Sequence, residues 1–143
     1  MRYLLDTCFL SEFVKPEPDP GVIDWGREHD EGDLYISVLT VGEIEKSIAR
    51  LSPSARKTRL ADWLEHELCI RFRDRILPIT VETARQWGRL DARCRAAGTV
   101  LPVIDGLLAA TAVIADLTVV TDNVSDLQAT GVRLHHPWTH GRP

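Results

Sequence analysis

Near its start the chain runs Arg2-Tyr3-Leu4-Leu5 straight into Asp6 and Thr7. A short, mostly apolar, β-compatible run reads as a buried strand of the kind found in parallel sheets. Open parallel sheets bind their ligands just beyond the carboxyl ends of the strands, which is where Asp6 falls. A carboxylate in that position must be hydrogen-bonded, paired or bound to a cation, because an isolated buried charge is too costly. The rest of the chain is therefore constrained by what it brings to Asp6.

Short strand-like runs alternate with helical periodicity along most of the sequence. A short helix is expected over Phe9–Val14. Asp19 caps a second helix that has Pro20 in its first position. Leu34-Tyr35-Ile36 is a strand, and Ser37 caps a helix from Val38 to about Leu51 whose buried stripe is Val41, Ile44, Ile48 and Leu51. A long helix is expected from Ser54 to Phe72. Arg75–Ile79 reads as a strand whose proline suits an edge or an end. Thr80 opens a helix that Gly98 stops. The helix containing Leu107–Ala115 is apolar nearly all round and is expected to be buried. Thr118–Thr121 and Val132–His135 complete the strands, and the tail from His136 reads as loosely ordered. The pattern predicts an α/β fold, a three-layer α/β/α sandwich with a mostly parallel central sheet. Residues 1–138 form one domain and 139–143 a disordered tail.

Composition removes several alternatives. The chain has 143 residues, 44% hydrophobic and 27% charged, which suits one globular domain. No stretch approaches the roughly 18 apolar residues of a membrane span, and the N-terminus lacks the pattern of a secretory signal. The three cysteines Cys8, Cys69 and Cys94 make no C-x-x-C pair, so a reducing cytoplasm is expected and a disulfide framework is not. His29, His66, His135, His136 and His140 show no metal-ligand spacing near Asp6. The net charge of −4 argues against broad electrostatic binding of nucleic acid, although arginines crowd the middle of the chain and could form a basic rim around an acidic centre.

Acidic and amide side chains recur where burial makes them costly. Asp6 ends the first strand, Glu43 borders a buried helix stripe, Asp105 opens an apolar helix, and Asp122 and Asn123 follow a buried strand. Each has a local explanation, as cap, exposed helix residue, helix-dipole partner or turn residue. Together they fall at one edge of the expected sheet. Like charges about 4 Å apart repel by roughly 4 kcal/mol at an effective dielectric of 20, so such a cluster needs protons or a hard cation. Mg²⁺ and Mn²⁺ favour an all-oxygen shell with retained waters.

The segments Tyr3–Thr7, Ile36–Ile44, Leu101–Ala112 and Leu117–Asn123, with the closing Pro137-Trp138, resemble the PIN-domain ribonucleases. Among these they are most similar to the VapC toxins of prokaryotic toxin–antitoxin pairs, in the FitB-like branch. The resemblance implies an endoribonuclease dependent on Mg²⁺ or Mn²⁺. The family's acids fall on Asp6, Glu43 and Asp105, and its more variable fourth polar position falls on Asn123. Asp122 or Asp126 are alternatives for that fourth place. Cys8-Phe9 departs from the asparagine and aliphatic residue usual in relatives, and Asp122 stands where many carry arginine. Thr7 and Thr121 are candidate supports for the acids. An RNA substrate, a VapB-like antitoxin, a homodimer and DNA contact only through the antitoxin are likewise implied. Phe13, Trp25, Ile48 and Leu51 are apolar candidates for the antitoxin groove.

Other readings were weighed on the residues. A catalytically inactive module within a DNA-binding regulatory complex would not need the intact acids. An aspartyl phosphotransferase wants a second aspartate two residues beyond Asp6, where Cys8 stands. No Gly-x-Gly-x-x-Gly follows the first strand, which disfavours a dinucleotide-binding domain.

Overall fold

The computed structural model describes residues 1–139. Its elements follow the chain as β1 (Tyr3–Leu5), α1 (Thr7–Glu12), α2 (Pro20–Glu28), β2 (Leu34–Ser37) and α3 (Val38–Ala49). Next come α4 (Ala55–Asp62), a π-helical segment (Trp63–Leu68), α5 (Cys69–Arg71), β3 (Ile76–Leu77) and α6 (Val81–Ala96). The last are α7 (Val103–Ala115), β4 (Thr118–Val120), α8 (Val124–Leu127) and β5 (Leu134–His135). The five strands form one sheet in the order β3-β2-β1-β4-β5, and every pairing is parallel. In register, Leu4 lies opposite Tyr35 on one side and Val119 on the other.

Alternation along the central strands splits the core in two. Leu5 and Val120 point to one face, where Phe9, Trp25, Ile44, Ile48, Leu64 and Phe72 from α1 to α5 and their connections cover them. Leu4 and Val119 point to the other, against Leu90, Leu108, Ala109 and Ala112 of α6 and α7. This is the expected three-layer sandwich. Because the chain moves outward from β1 to β2 and β3, then crosses to β4 and β5, the topological switch lies beside β1, and its carboxyl end opens into a crevice.

The caps expected at Asp19, Ser37 and Thr80 all form, and Gly98 and Gly131 end their helices with φ of 87° and 74°, the left-handed region that glycine enters freely. β3 lies at the sheet edge and is shorter than the expected strand. The first helix begins at Thr7, not Phe9. The long helix expected from Ser54 to Phe72 is not uniform. Leu64, Leu68 and Phe72 are 4%, 5% and 4% exposed. Side chains spaced by four stay on one azimuth only if the winding is wider than 3.6 residues per turn, and the π-helical segment provides that. Nor is α7 buried all round: Val103, Ile104 and Val113 are exposed.

The expectation of a loose tail from His136 is corrected. Trp138 is 1% exposed, its ring meets Phe9 at 6.3 Å, and its Nε1–H donates to Glu12 Oε2 at 3.2 Å. Asp19 accepts from both the N–H and the Oγ1–H of Thr139. The strap crosses directly over Gly21, where a Cβ would lie 2.3 Å from the Pro137 carbonyl oxygen. The remainder of the expected disordered tail, 140–143, lies outside the described residues.

Candidate active site

Asp6 continues the β1 ladder by donating its N–H to the Val120 carbonyl at 3.0 Å. Its carboxylate faces two ways. Oδ1 caps α1 by accepting the Thr7 N–H at 2.7 Å, and Oδ2 accepts the Thr121 hydroxyl at 2.7 Å and the Cys8 thiol at 3.6 Å. The local explanation of Asp6 as a helix cap is therefore correct, and it leaves Oδ2 beside β4.

From these contacts a connected path runs across the sheet edge. Thr7 Oγ1 donates to Glu43 Oε1 at 2.9 Å, which ties the second turn of α3 to the end of β1. Thr121 Oγ1 in turn accepts the Asn123 N–H at 2.9 Å, and Asn123 Nδ2 lies 3.5 Å from Asp105 Oδ2. Asp6, Glu43, Asp105 and Asn123 are thus drawn to one place by Thr7 and Thr121. The Asp105 carboxyl is pushed above the usual carboxylate range, first by burial and then by the charges of Asp6, Asp126 and Glu43, while the Asn123 contact opposes the shift. Asp126 is therefore an electrostatic neighbour of the cluster. Asp122 is directed otherwise: its Oδ1 pairs with His136 Nε2 at 2.7 Å. His135 lies beside Trp25, with ring centres 5.5 Å apart, so the adjacent histidines serve different surroundings.

Cys8 packs against the core and at the same time borders this cluster. The Asp122 N–H donates to its sulfur at 3.3 Å. Burial, then the Asp6 charge, pushes its thiol up to about 12, so it stands as a neutral S–H and supplies no soft thiolate. The donor set is consequently carboxylate, amide and hydroxyl oxygen, which suits a hard divalent ion. Among the described residues no three His, Cys, Asp or Glu side chains form a ready-made cage for a metal. Asp6, Glu43 and Asp105 fit a hard divalent ion on the chemistry of their oxygens and on the charge crowding at Asp105.

Beside Thr7 opens a groove of about 1130 Å³, lined by Ile44, Ile48, Leu51, Leu60 and Trp63 with Arg56 and Arg59 among its polar residues. Of the apolar groove candidates, Ile48 and Leu51 line it, Trp25 is core, and Phe13 is exposed outside it. Much of the expected basic rim is committed elsewhere: Arg71 pairs with Glu31, Arg95 with Asp91, and Arg75 and Arg93 donate to backbone carbonyls.

Against known proteins, residues 3–129 match the PIN domain model. The chain is 33% identical over 135 residues to "VapC ribonuclease Y4jK" of Sinorhizobium fredii, covering 94% of this chain and 96% of that protein. It is 32% identical over 135 residues to "Toxin FitB" of Neisseria gonorrhoeae, covering 94% and 97%. Among solved structures, FitAcB from Neisseria gonorrhoeae superposes with a TM-score of 0.91 at 31% identity, covering 96% of this chain and 99% of that one. FitAB bound to the IR36 DNA fragment gives 0.91 at 29% identity, with 98% of each chain covered.

Proposed function

The chain belongs to the PIN-domain family, and we propose that within it this protein is the toxin of a toxin–antitoxin pair, an endoribonuclease that works with Mg²⁺ or Mn²⁺. The observation that carries the reading is the meeting of Asp6, Glu43 and Asp105 at the switch point of the sheet, where burial, then the charges of Asp6, Asp126 and Glu43, raise the affinity of Asp105 for a proton. A divalent ion held by Asp6 and Asp105, with Glu43 completing its surroundings, would supply the Lewis acidity that activates water and offsets charge on the phosphoryl oxygens.

The chain's own residues do the arranging. Thr121 and the Thr7 N–H fix both oxygens of Asp6, and the Thr7 hydroxyl turns Glu43 toward it. Asn123, through its contact with Asp105, and Asp126, through its charge, are the candidates for the fourth polar position, whereas Asp122 is engaged by His136. Glu43, held by the Thr7 hydroxyl, would orient the attacking water. Arg56 and Arg59 make no ion pair among the described residues and lie where they can position RNA phosphates, which the acids alone would repel.

The same family likeness supports a VapB-like antitoxin as partner, a homodimer, DNA contact through the antitoxin, and the cytoplasm as the place of action. Among the described residues no helix is long and apolar enough to cross a membrane. The test is incubation of the purified chain with single-stranded RNA in Mn²⁺, Mg²⁺ or EDTA. Cleavage that requires the ion and disappears in Asp6→Asn is the expected result. Equal cleavage in EDTA overturns metal dependence. No cleavage together with no Mn²⁺ binding favours an inactive regulatory module.

A further inference from the structure

We infer that Gly106 and Trp87 are a positioning pair for Asp105: the close approach of the Trp87 ring to a helix position without a side chain sets where the first turn of α7 holds its carboxylate. This rests on the metal-dependent reading above and deepens it.

The start of α7 has little else to hold it. Pro102 is its N-cap and offers no side-chain bond to the first turn. Val103 and Ile104 are exposed, at 57% and 39%. The buried residue of that turn is Gly106, the immediate neighbour of Asp105. A Cβ on Gly106 would lie 2.8 Å from Trp87 Cδ1, 2.9 Å from Trp87 Nε1 and 3.1 Å from Leu101 Cδ2. The rigid indole therefore occupies the space, with a Leu101 methyl group beside it. Carbon atoms reach ordinary contact near 3.5 Å, so a methyl group there has to displace α7 or the indole by roughly 0.7 Å.

Glycine is among the poorest helix formers, yet it interrupts a helix otherwise rich in leucine and alanine, and its φ lies outside the left-handed region. Backbone freedom thus does not explain it, whereas ring contact does. Trp87 also gives up something for this approach: its buried Nε1–H has no hydrogen-bond partner. Close-packed interiors transmit such displacements. Asp105 reaches Asn123 only at 3.5 Å, so a shift of the first turn is felt directly at the cluster.

The experiment compares wild type, Gly106→Ala, Trp87→Leu, the double variant and Gly42→Ala, each titrated with Mn²⁺ by calorimetry without RNA. Gly42 precedes Glu43 on α3 and has open space around it, so it controls for a glycine-to-alanine change beside an acid. The expected result is a roughly 10-fold or greater weakening in Gly106→Ala, in line with residues that orient metal ligands, and none in Gly42→Ala. Trp87→Leu should also weaken Mn²⁺ binding, because the ring no longer fixes the turn, and the double variant should match it, because removing the indole removes the clash; full affinity in Trp87→Leu overturns the positioning role of the ring. If Gly106→Ala does not fold, recovery of folding in the double variant, with Mn²⁺ binding weakened as in Trp87→Leu, supports the inference, and failure to recover folding overturns it. Undiminished affinity in Gly106→Ala beside a normal wild type overturns this inference alone. A wild type that binds no Mn²⁺ overturns the nuclease reading, and the inference with it.

Discussion

The Thr121 hydroxyl donates to Asp6 Oδ2 at 2.7 Å across 115 positions of sequence, joining the ends of two neighbouring strands. Thr121 is fully buried and also accepts the Asn123 N–H. Thr121→Val keeps the shape, removes the donor to Asp6 and strands the amide of Asn123. A buried group left without its partner costs about 1–3 kcal/mol. The thermal midpoint should fall accordingly, and Mn²⁺ affinity should fall by about 10-fold or more. Calorimetry on the apo and titrated protein reads both, and unchanged Mn²⁺ affinity would remove Thr121 from the support of Asp6.

Asp6→Asn separates the two jobs of that residue. Asparagine caps helices as well as aspartate does, so the bond from the Thr7 N–H survives; its Nδ2 replaces the oxygen that accepts the Thr121 hydroxyl, so stability should fall by no more than about 2 kcal/mol. Cleavage of RNA should drop by about 100-fold or more, beyond the usual effect of a residue that only orients a ligand. Retained cleavage would take Asp6 out of the mechanism.

Asp105 predicts a trade between stability and activity. Its carboxyl is raised in the folded chain. The folded state therefore holds this proton more tightly than the unfolded state, and its contribution is most favourable at low pH and is lost as pH rises through the raised value. At neutral pH the ionised group destabilises the fold. Asp105→Asn should raise the midpoint in metal-free buffer while abolishing cleavage, and added Mn²⁺ should stabilise wild type but not the variant. A lower midpoint in Asp105→Asn would contradict the charge crowding described here.

Glu12 gives the opposite pH dependence. Burial works to raise its carboxyl, but hydrogen bonds from Lys15, the Asp19 N–H and Trp138, with the Lys15 charge, hold it below the usual range. Its contribution is present above the unfolded glutamate value, about 4.3, and is lost as pH falls through the lowered folded value. Glu12→Ala also removes the carboxylate that accepts from the Trp138 Nε1–H, and should cost about 2 kcal/mol or more at neutral pH. Urea melts at pH 7 and in the acid range should show the difference between wild type and variant shrinking with acidity.

Trp87→Phe tests the orphaned indole. Its buried N–H lacks an acceptor, so an aromatic ring without that donor should keep or raise the midpoint, offset by the smaller ring's lost packing. A loss above about 3 kcal/mol would mean that the N–H is satisfied in solution.

Features set by local chemistry were readable from the chain. Asp19, Ser37 and Thr80 cap the helices that follow them, and Gly98 and Gly131 stop the ones before. The gathering of Asp6, Glu43 and Asp105 was readable because strand ends and helix starts of a parallel sheet share one edge. Glu12 was not, since its partner Trp138 is 126 positions away and a lone acid on a short helix carries no periodic signal. The π-helical winding at Trp63–Leu68 escaped for a different reason: its apolar positions fit an ordinary helix over any single turn and drift only over two. The departure at Cys8 was visible as a residue type, but its contact with Asp122 depends on a strand made much later in the chain.

The central place of β1 bears on how the protein is made. Its first strand needs β4 on one flank, and Trp138, a buried ring of its core, follows β4 and β5 in the chain. A nascent chain leaving the ribosome has Asp6 and Glu43 early, but lacks the hydroxyl and the helix that bring them together with Asp105. The constellation therefore cannot form until α7 and Thr121 have been synthesised, and until then the ribosome carries the early acids unassembled.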